Sequence, residues 1–165
     1  MLTTAHATLA INDMAEAARG RDAKHPPSPG AASSAMVMAF YAAFDCGTLD
    51  RFAGIADGFE ARVFGATVLD WPGFLAFGQA FRDGFPNGRH SFDFVVTEGP
   101  NVATIGRYRG RHERPFLGID ATGRQVDFVV MHLDRVVGDK IVEHRGIGDI
   151  NTLWAQLGVS PTTTT

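Results

Sequence analysis

The apolar residues of this chain change their period once, and that change sets the class of fold. Up to Gly84 they recur every three or four positions, and from His90 onward they alternate. Val37, Phe40, Tyr41 and Phe44 fall at i, i+3, i+4 and i+7, one face of a helix that Gly47 ends. Thr48 is placed to cap a second, short helix with Leu49, Phe52 and Ile55 inward. Residues 60–66 predict a short strand. A further helix starts near Asp70, with Pro72 in its first turn, Phe74, Phe77 and Phe81 inward, and Gly84 at its close.

The period of two predicts strands. Residues 90–98 place Phe92, Phe94 and Val96 on one face. In 102–112, Arg107, Arg109 and Arg111 share one face and Tyr108, Gly110 and His112 the other. An arginine row belongs in water, which turns Tyr108 and His112 inward. Gly123 marks a turn before a long strand from Gln125 to Val137, and Gly138-Asp139 is a two-residue hairpin loop. The next strand runs from Lys140 to Ile147, and Asp149 caps a closing helix with Ile150, Leu153 and Leu157 inward, ended by Gly158. Helices segregated from hairpin-connected strands mean α+β. A bent sheet with helices across its concave side encloses a conical cavity, and Gly106, Gly110 and Gly146 suit the bending.

The 165 residues suggest one domain. Residues 1–33 pass from an Ala-rich stretch into "GRDAKHPPSPGAASS", a flexible extension by composition; 34–158 form the compact domain, and 159–165 read as a disordered tail. Thirteen Phe against two Tyr and two Trp point to a greasy core or cavity. A net charge of −3 with interspersed signs gives no pull toward nucleic acid. Cys46 stands alone, excluding an internal disulfide or a CxxC site, and is expected as a small buried residue. No apolar run reaches the roughly 18 residues of a membrane span, and the N-terminus lacks the pattern of a secretory signal, so the expectation is a cytoplasmic protein. The six histidines show no metal-ligand spacing, and no Gly-rich phosphate loop follows a strand, so neither metal nor cofactor is expected.

Residues 108–158 carry a specific pattern: a strand ending in His near "G-x-x-x-G", then "TGR-x-V", "R-x-x-x-x-K-I-V-E-H" and "D-x-x-x-L-x-x-Q-L-G". This run resembles the SnoaL-like polyketide cyclases of the NTF2-like superfamily, and "FYAAFDCGTLDRF" matches the opening helices more loosely. The resemblance spans about residues 34–158. It implies an α+β cone, a mainly antiparallel curved sheet with helices on its concave side, open to a small apolar substrate. It also implies a homodimer and a cofactor-independent cyclase or isomerase of natural-product biosynthesis. In the aldol cyclases resembled here, a carboxylate or imidazole removes a proton α to a carbonyl.

The resemblance places a pocket-facing polar residue at His132, whose face also carries Val126, Phe128 and Val130. His144, in the "EH" pair, is the second acid–base candidate. With Val137 opposite Lys140, uniform pairing sets His144 opposite Leu133 and diagonal to His132. Either imidazole can instead be a hydrogen-bonded core residue. Gly146 stands where the family's aldol cyclases carry the acid–base Asp, which argues against aldol chemistry and enlarges the cavity. Tyr108 and His112 are candidates to orient substrate, Arg62 beside a carboxylate (Glu60 or Asp70) for epoxide opening, and Trp71 for an aromatic wall. Two alternatives stay open: a non-catalytic binding or association module, which a closed, Phe-filled interior would favour, and an epoxide-opening enzyme.

Overall fold

The computed structural model describes residues 29–64 and 67–159. The N-terminal extension up to residue 28, the tail from 160 and the end of the expected strand 60–66 lie outside the described residues. Helix α1 (Pro29–Cys46) buries Val37, Phe40, Tyr41 and Phe44 and reaches back beyond Ser34. The expected second helix is a single 3-10 turn, Leu49–Arg51. Thr48 makes no side-chain cap bond there, and Ile55 opens strand β1 (Ile55–Val63) instead of facing a helix core. Strand β2 (Thr67–Leu69) returns along β1. Helix α2 (Trp71–Gly84) starts where the Asp70 carboxylate accepts the Gly73 N–H, with Pro72 in its first turn, and buries Phe74 and Phe81. Strands β3 (Arg89–Glu98), β4 (Asn101–Arg111), β5 (Gln125–Val137) and β6 (Lys140–Gly148) follow. Helix α3 (Ile150–Leu157) closes the fold, with Asp149 accepting the Thr152 N–H at its start and Gly158 left-handed (φ 79°) at its end.

The six strands form one curved sheet in the order β2-β1-β6-β5-β4-β3. All neighbours are antiparallel except β1 and β6, which run parallel. The hairpins were visible in the alternating pattern; the parallel partner was not, because the segment that supplies it is remote in sequence. The helices pack on the inner face and share with it a core rich in phenylalanine. Burial of each such ring contributes about 1.5–3 kcal/mol.

Two bulges change which side chains face the core. In β3 the register shifts between Phe92 and Phe94. Phe92 stays half-buried while Phe94 and Val96, expected beside it, turn outward at 67% and 61% exposure. Gly106 permits this kink: a Cβ there would stand 2.0 Å from the Ser91 carbonyl oxygen. In β6 the register shifts at Val142, so that Arg135 pairs with Glu143 while Val136 pairs with Ile141. The expected pairing of His144 with Leu133 is therefore corrected: His144 lies opposite Asp134, and His132 opposite Gly146. Uniform pairing would have put His144 with Leu133 on the outer face, because paired residues share a face.

The outer face of the sheet carries an aligned apolar row, Phe94, Ile105, Met131 and Ile147. Beside it, Arg107 and Arg109 both pair with Asp127, as an outward arginine row requires. Cys46 is exposed rather than buried. Asp45 takes the inward position at this end of α1, and the next residue necessarily leaves the core side.

Candidate functional site

The inner face and helices α1 and α2 enclose a hollow of about 50 Å³. Rings of Phe44, Phe74, Phe77, Phe81 and Phe128 form most of its wall, and Phe64 and Ile147 sit where it meets solvent. At about 10–15 Å³ per water, the hollow has room for a few water molecules. Phe64 holds a left-handed backbone (φ 51°) and stacks on Phe81. A phenylalanine in that conformation is strained by about 1 kcal/mol. Polar groups reach this aromatic hollow from α1, β3, β4, β5 and β6.

His144 and Asp134 form the most buried of them, 3% and 0% exposed. The bulge at Val142 sets them opposite each other, and His144 Nδ1 lies 2.8 Å from Asp134 Oδ1. The second carboxylate oxygen accepts the Tyr41 hydroxyl at 2.8 Å. Burial, and then the adjacent Asp134 carboxylate, hold the Tyr41 phenol well above its ordinary pKa, so it remains the donor. With both oxygens accepting, Asp134 fixes the His144 proton on Nδ1 and leaves Nε2 as a lone pair. That Nε2 makes no hydrogen bond to a described residue.

Gly146 explains where the Nε2 looks. A Cβ at this position would stand 3.1 Å from His144 Nε2 and 3.3 Å from His132 Cδ2. The glycine therefore keeps clear the space into which both rings open. His132 Nδ1 lies 3.2 Å from the Thr104 hydroxyl, and its ring centroid is 5.5 Å from that of His144. Burial, then positive charge on His144 and His90, hold the His132 pKa well below the ordinary imidazole range. His132 is thus neutral, able to donate or accept one hydrogen bond at a carbonyl or enolate oxygen.

A further histidine, absent from the candidates drawn from the sequence, faces the same hollow. His90 at the start of β3 places Nδ1 2.7 Å from Asp45 Oδ1, while its backbone N–H donates to Asp45 Oδ2 at 2.8 Å. Its ring lies 5.6 Å from His132 and 5.0 Å from Tyr108. Tyr108 also lines the hollow. Burial, then the Asp45 charge, raise its phenol pKa, which keeps the hydroxyl protonated. The signals that could have found these groups were weak: Asp45 on the inward stripe of a helix, and Asp134 two positions from His132 on one strand. Among the described residues no group of three or more His, Cys, Asp or Glu is arranged to hold a metal ion.

The model of the SnoaL-like polyketide cyclase family matches residues 35–157. The chain belongs to that family. Among solved structures, wild-type IdmH from Streptomyces antibioticus, provisionally described as a polyketide cyclase, is 31% identical. The alignment covers 77% of this chain and 99% of that one, with a TM-score of 0.69. AclR from Streptomyces galilaeus, provisionally described as a hydroxylase, shares the fold at 20% identity and a TM-score of 0.73, over 80% of this chain and 99% of that one. A SnoaL-like protein from Jannaschia sp. CCS1, provisionally described as a polyketide cyclase, does so at 20% identity and 0.73, over 84% and 100%. No curated protein matches the chain.

Against the expectations for a SnoaL-like chain, the structure brings His132, His144, Tyr108, Phe128, Val130 and Gly146 to one hollow. The other candidates lie elsewhere. His112 is fully buried against Phe85, with Nδ1 facing the Thr122 hydroxyl and N–H, and does not reach the hollow. Arg62 lies toward solvent between Glu60 and Glu143. Asp70 caps α2. Trp71 packs edge-on to Phe59 and stacks on Phe74, behind the wall rather than in it. No described helix is long and apolar enough to cross a membrane.

Proposed function

We propose that this protein is a cofactor-independent cyclase or isomerase acting on a polyketide-like natural-product intermediate. His144 is its base and His132 the neutral hydrogen-bonding partner. The observation that carries the reading is the His144–Asp134–Tyr41 chain, buried in an aromatic hollow and opening its free Nε2 over Gly146. In the reaction, a carbon α to a carbonyl gives its proton to His144 Nε2, and the C–H electron pair becomes an enolate. His132 donates to the enolate oxygen, while Tyr108 lines the hollow beside His90. The aromatic wall holds the apolar chain in a folded shape, and such positioning lowers the barrier by itself. Gly146, standing where the aldol cyclases of the family carry an Asp, argues against aldol closure. Cycloaddition and dehydration both fit. The substrate is expected to part the Phe64 and Phe77 rings on entry, since the hollow alone holds only water.

Purified protein incubated with its pathway intermediate, with no added cofactor, should form product. His144→Ala should lower kcat by about 10²–10⁴, the usual worth of a positioned base. Unchanged turnover in a His132→Ala, His144→Ala double variant would remove the acid–base assignment and leave only the effect of shape.

The narrowness of the hollow favours a second reading, a non-catalytic binding or association module. A ligand bound tightly and recovered unchanged would support it. Nothing supports epoxide opening, since Arg62 and Asp70 both sit outside the hollow. For assembly, we propose a homodimer through the outer row of Phe94, Ile105, Met131 and Ile147, an aligned apolar stripe in which Phe94, Met131 and Ile147 are exposed. Met131→Glu should halve the mass seen by sedimentation.

A further inference from the structure

We propose that His90, anchored by Asp45, is a second acid–base group of the same pocket, set across His132 from His144. The inference rests on the catalytic reading above and adds to it a residue that the sequence did not mark.

The two imidazoles are built alike from unrelated parts of the chain. Each gives Nδ1 to a buried carboxylate, at 2.7 Å for His90 with Asp45 and 2.8 Å for His144 with Asp134. Each carboxylate has its second oxygen occupied, by the His90 backbone N–H and by the Tyr41 hydroxyl. Neither carboxylate can therefore turn away without losing a second bond. Asp45 is also held through its backbone, whose carbonyl accepts from the Arg82 and Arg89 guanidinium groups. Both rings line the hollow, and neither Nε2 makes a hydrogen bond to a described residue. A surface ion pair would have no need of this construction. The Asp45 side chain is 10% exposed and that of His90 8%, so the pair costs desolvation that a merely structural contact could avoid with apolar side chains.

Two groups of this kind allow one substrate to lose a proton at one point and gain one at another. The neutral imidazole accepts at Nε2 the proton from carbon, and the bonding pair enters the enolate. The other imidazole, charged, gives its Nε2 proton to the atom that receives the electrons at the far end of the rearranged system. The two rings have then exchanged protonation states, and water at the mouth resets them. No oxidant, reductant or metal enters the balance. The charged and titratable groups facing His90 are Asp45 and Tyr41 from α1, Tyr108 from β4 and His132 from β5. Positive charge on either outer ring opposes charge on His132, which keeps the middle of the row neutral. The substrate class that uses such a row is an apolar, enolisable carbonyl compound with two reacting positions along its length.

Two measurements on the full chain test this without the substrate. In alkaline solution, where both rings are neutral, imidazole ¹⁵N spectra should show His90 and His144 with hydrogen on Nδ1 and a lone pair on Nε2, the form from which either can take up the Nε2 proton it later gives. Asp45→Asn should abolish that preference at His90 and leave His144 unchanged. Prolonged treatment with diethyl pyrocarbonate, which acylates an imidazole lone pair and enters as the Phe64 and Phe77 rings part, should modify His90 and His144 and spare His112, which opens to no hollow. If His144 reacts while His90 stays silent, or if Asp45→Asn leaves the His90 tautomer as it was, the second base is overturned and the first stands. If both rings stay silent, the catalytic reading falls with it.

Discussion

His144 on β6 and His112 just past the end of β4 are both buried imidazoles, and they have opposite characters. His144 leans on a carboxylate and opens its other nitrogen into a hollow over a glycine. His112 leans on Thr122 and packs at a tilt against Phe85. Since the Thr122 N–H donates to its Nδ1, the His112 proton sits on Nε2, a buried atom without a hydrogen-bond partner among the described residues. Burial, opposed in part by the Arg114 carbonyl, lowers its pKa. A buried histidine is thus not yet a site. A buried carboxylate behind it and open space before it make the difference.

The sharpest way to break that contrast is Asp134→Ala. Removing the carboxylate strands Tyr41 and His144 together and should cost about 3–5 kcal/mol in chemical denaturation, the usual result of deleting one member of a buried polar pair. Activity should fall at least about 10²-fold. A loss under 1 kcal/mol would mean that Asp134 is no anchor.

Acid comes next. Both His132 and His112 have folded pKa values below the unfolded value of about 6.5. Below that pH the unfolded chain takes up protons that the folded chain refuses. Stability should be complete above about pH 6.5 and fall as the pH drops toward the folded pKa values, by up to about 1.4 kcal/mol per pH unit for each group. Urea midpoints at pH 7 and pH 5 measure this. A higher midpoint at pH 5 would reverse the sign argued here.

His112→Phe should then cost about 1–2 kcal/mol, because the Thr122 N–H loses its acceptor, while turnover stays unchanged. Equal losses of turnover in His112→Phe and His144→Ala would erase the distinction between them. Smallest of all, Thr104→Val removes one hydrogen bond to His132 and should cost about 1 kcal/mol, with a small change in KM.

Much of the architecture was legible because period is a local property. The face of α1, the cap at Asp70, the hairpin at Gly138 and the closing helix all follow from neighbours a few residues apart. The site was legible only in part. Its histidines on β5 and β6 stand in a family pattern, and Gly146 announced open space. The carboxylates did not show, because each depends on geometry between distant segments. Asp45 meets His90 across 45 residues. Asp134 meets His144 only through the bulge at Val142, and alternation written on a strand carries no mark of an extra residue. The same blindness placed Phe94 and Val96 inward, where a kink at Asp93 turns them out. Cys46 misled for a simpler reason, since its neighbour Asp45 claims the interior.

That extra residue in β6 makes the chamber tolerant of a shorter strand. Losing Val142 would leave an unbroken ladder from the hairpin, with Glu143 still outside opposite Arg135 and His144 still opposite Asp134. A lineage could in this way shed the kink through one small deletion and keep both its imidazole and its scaffold.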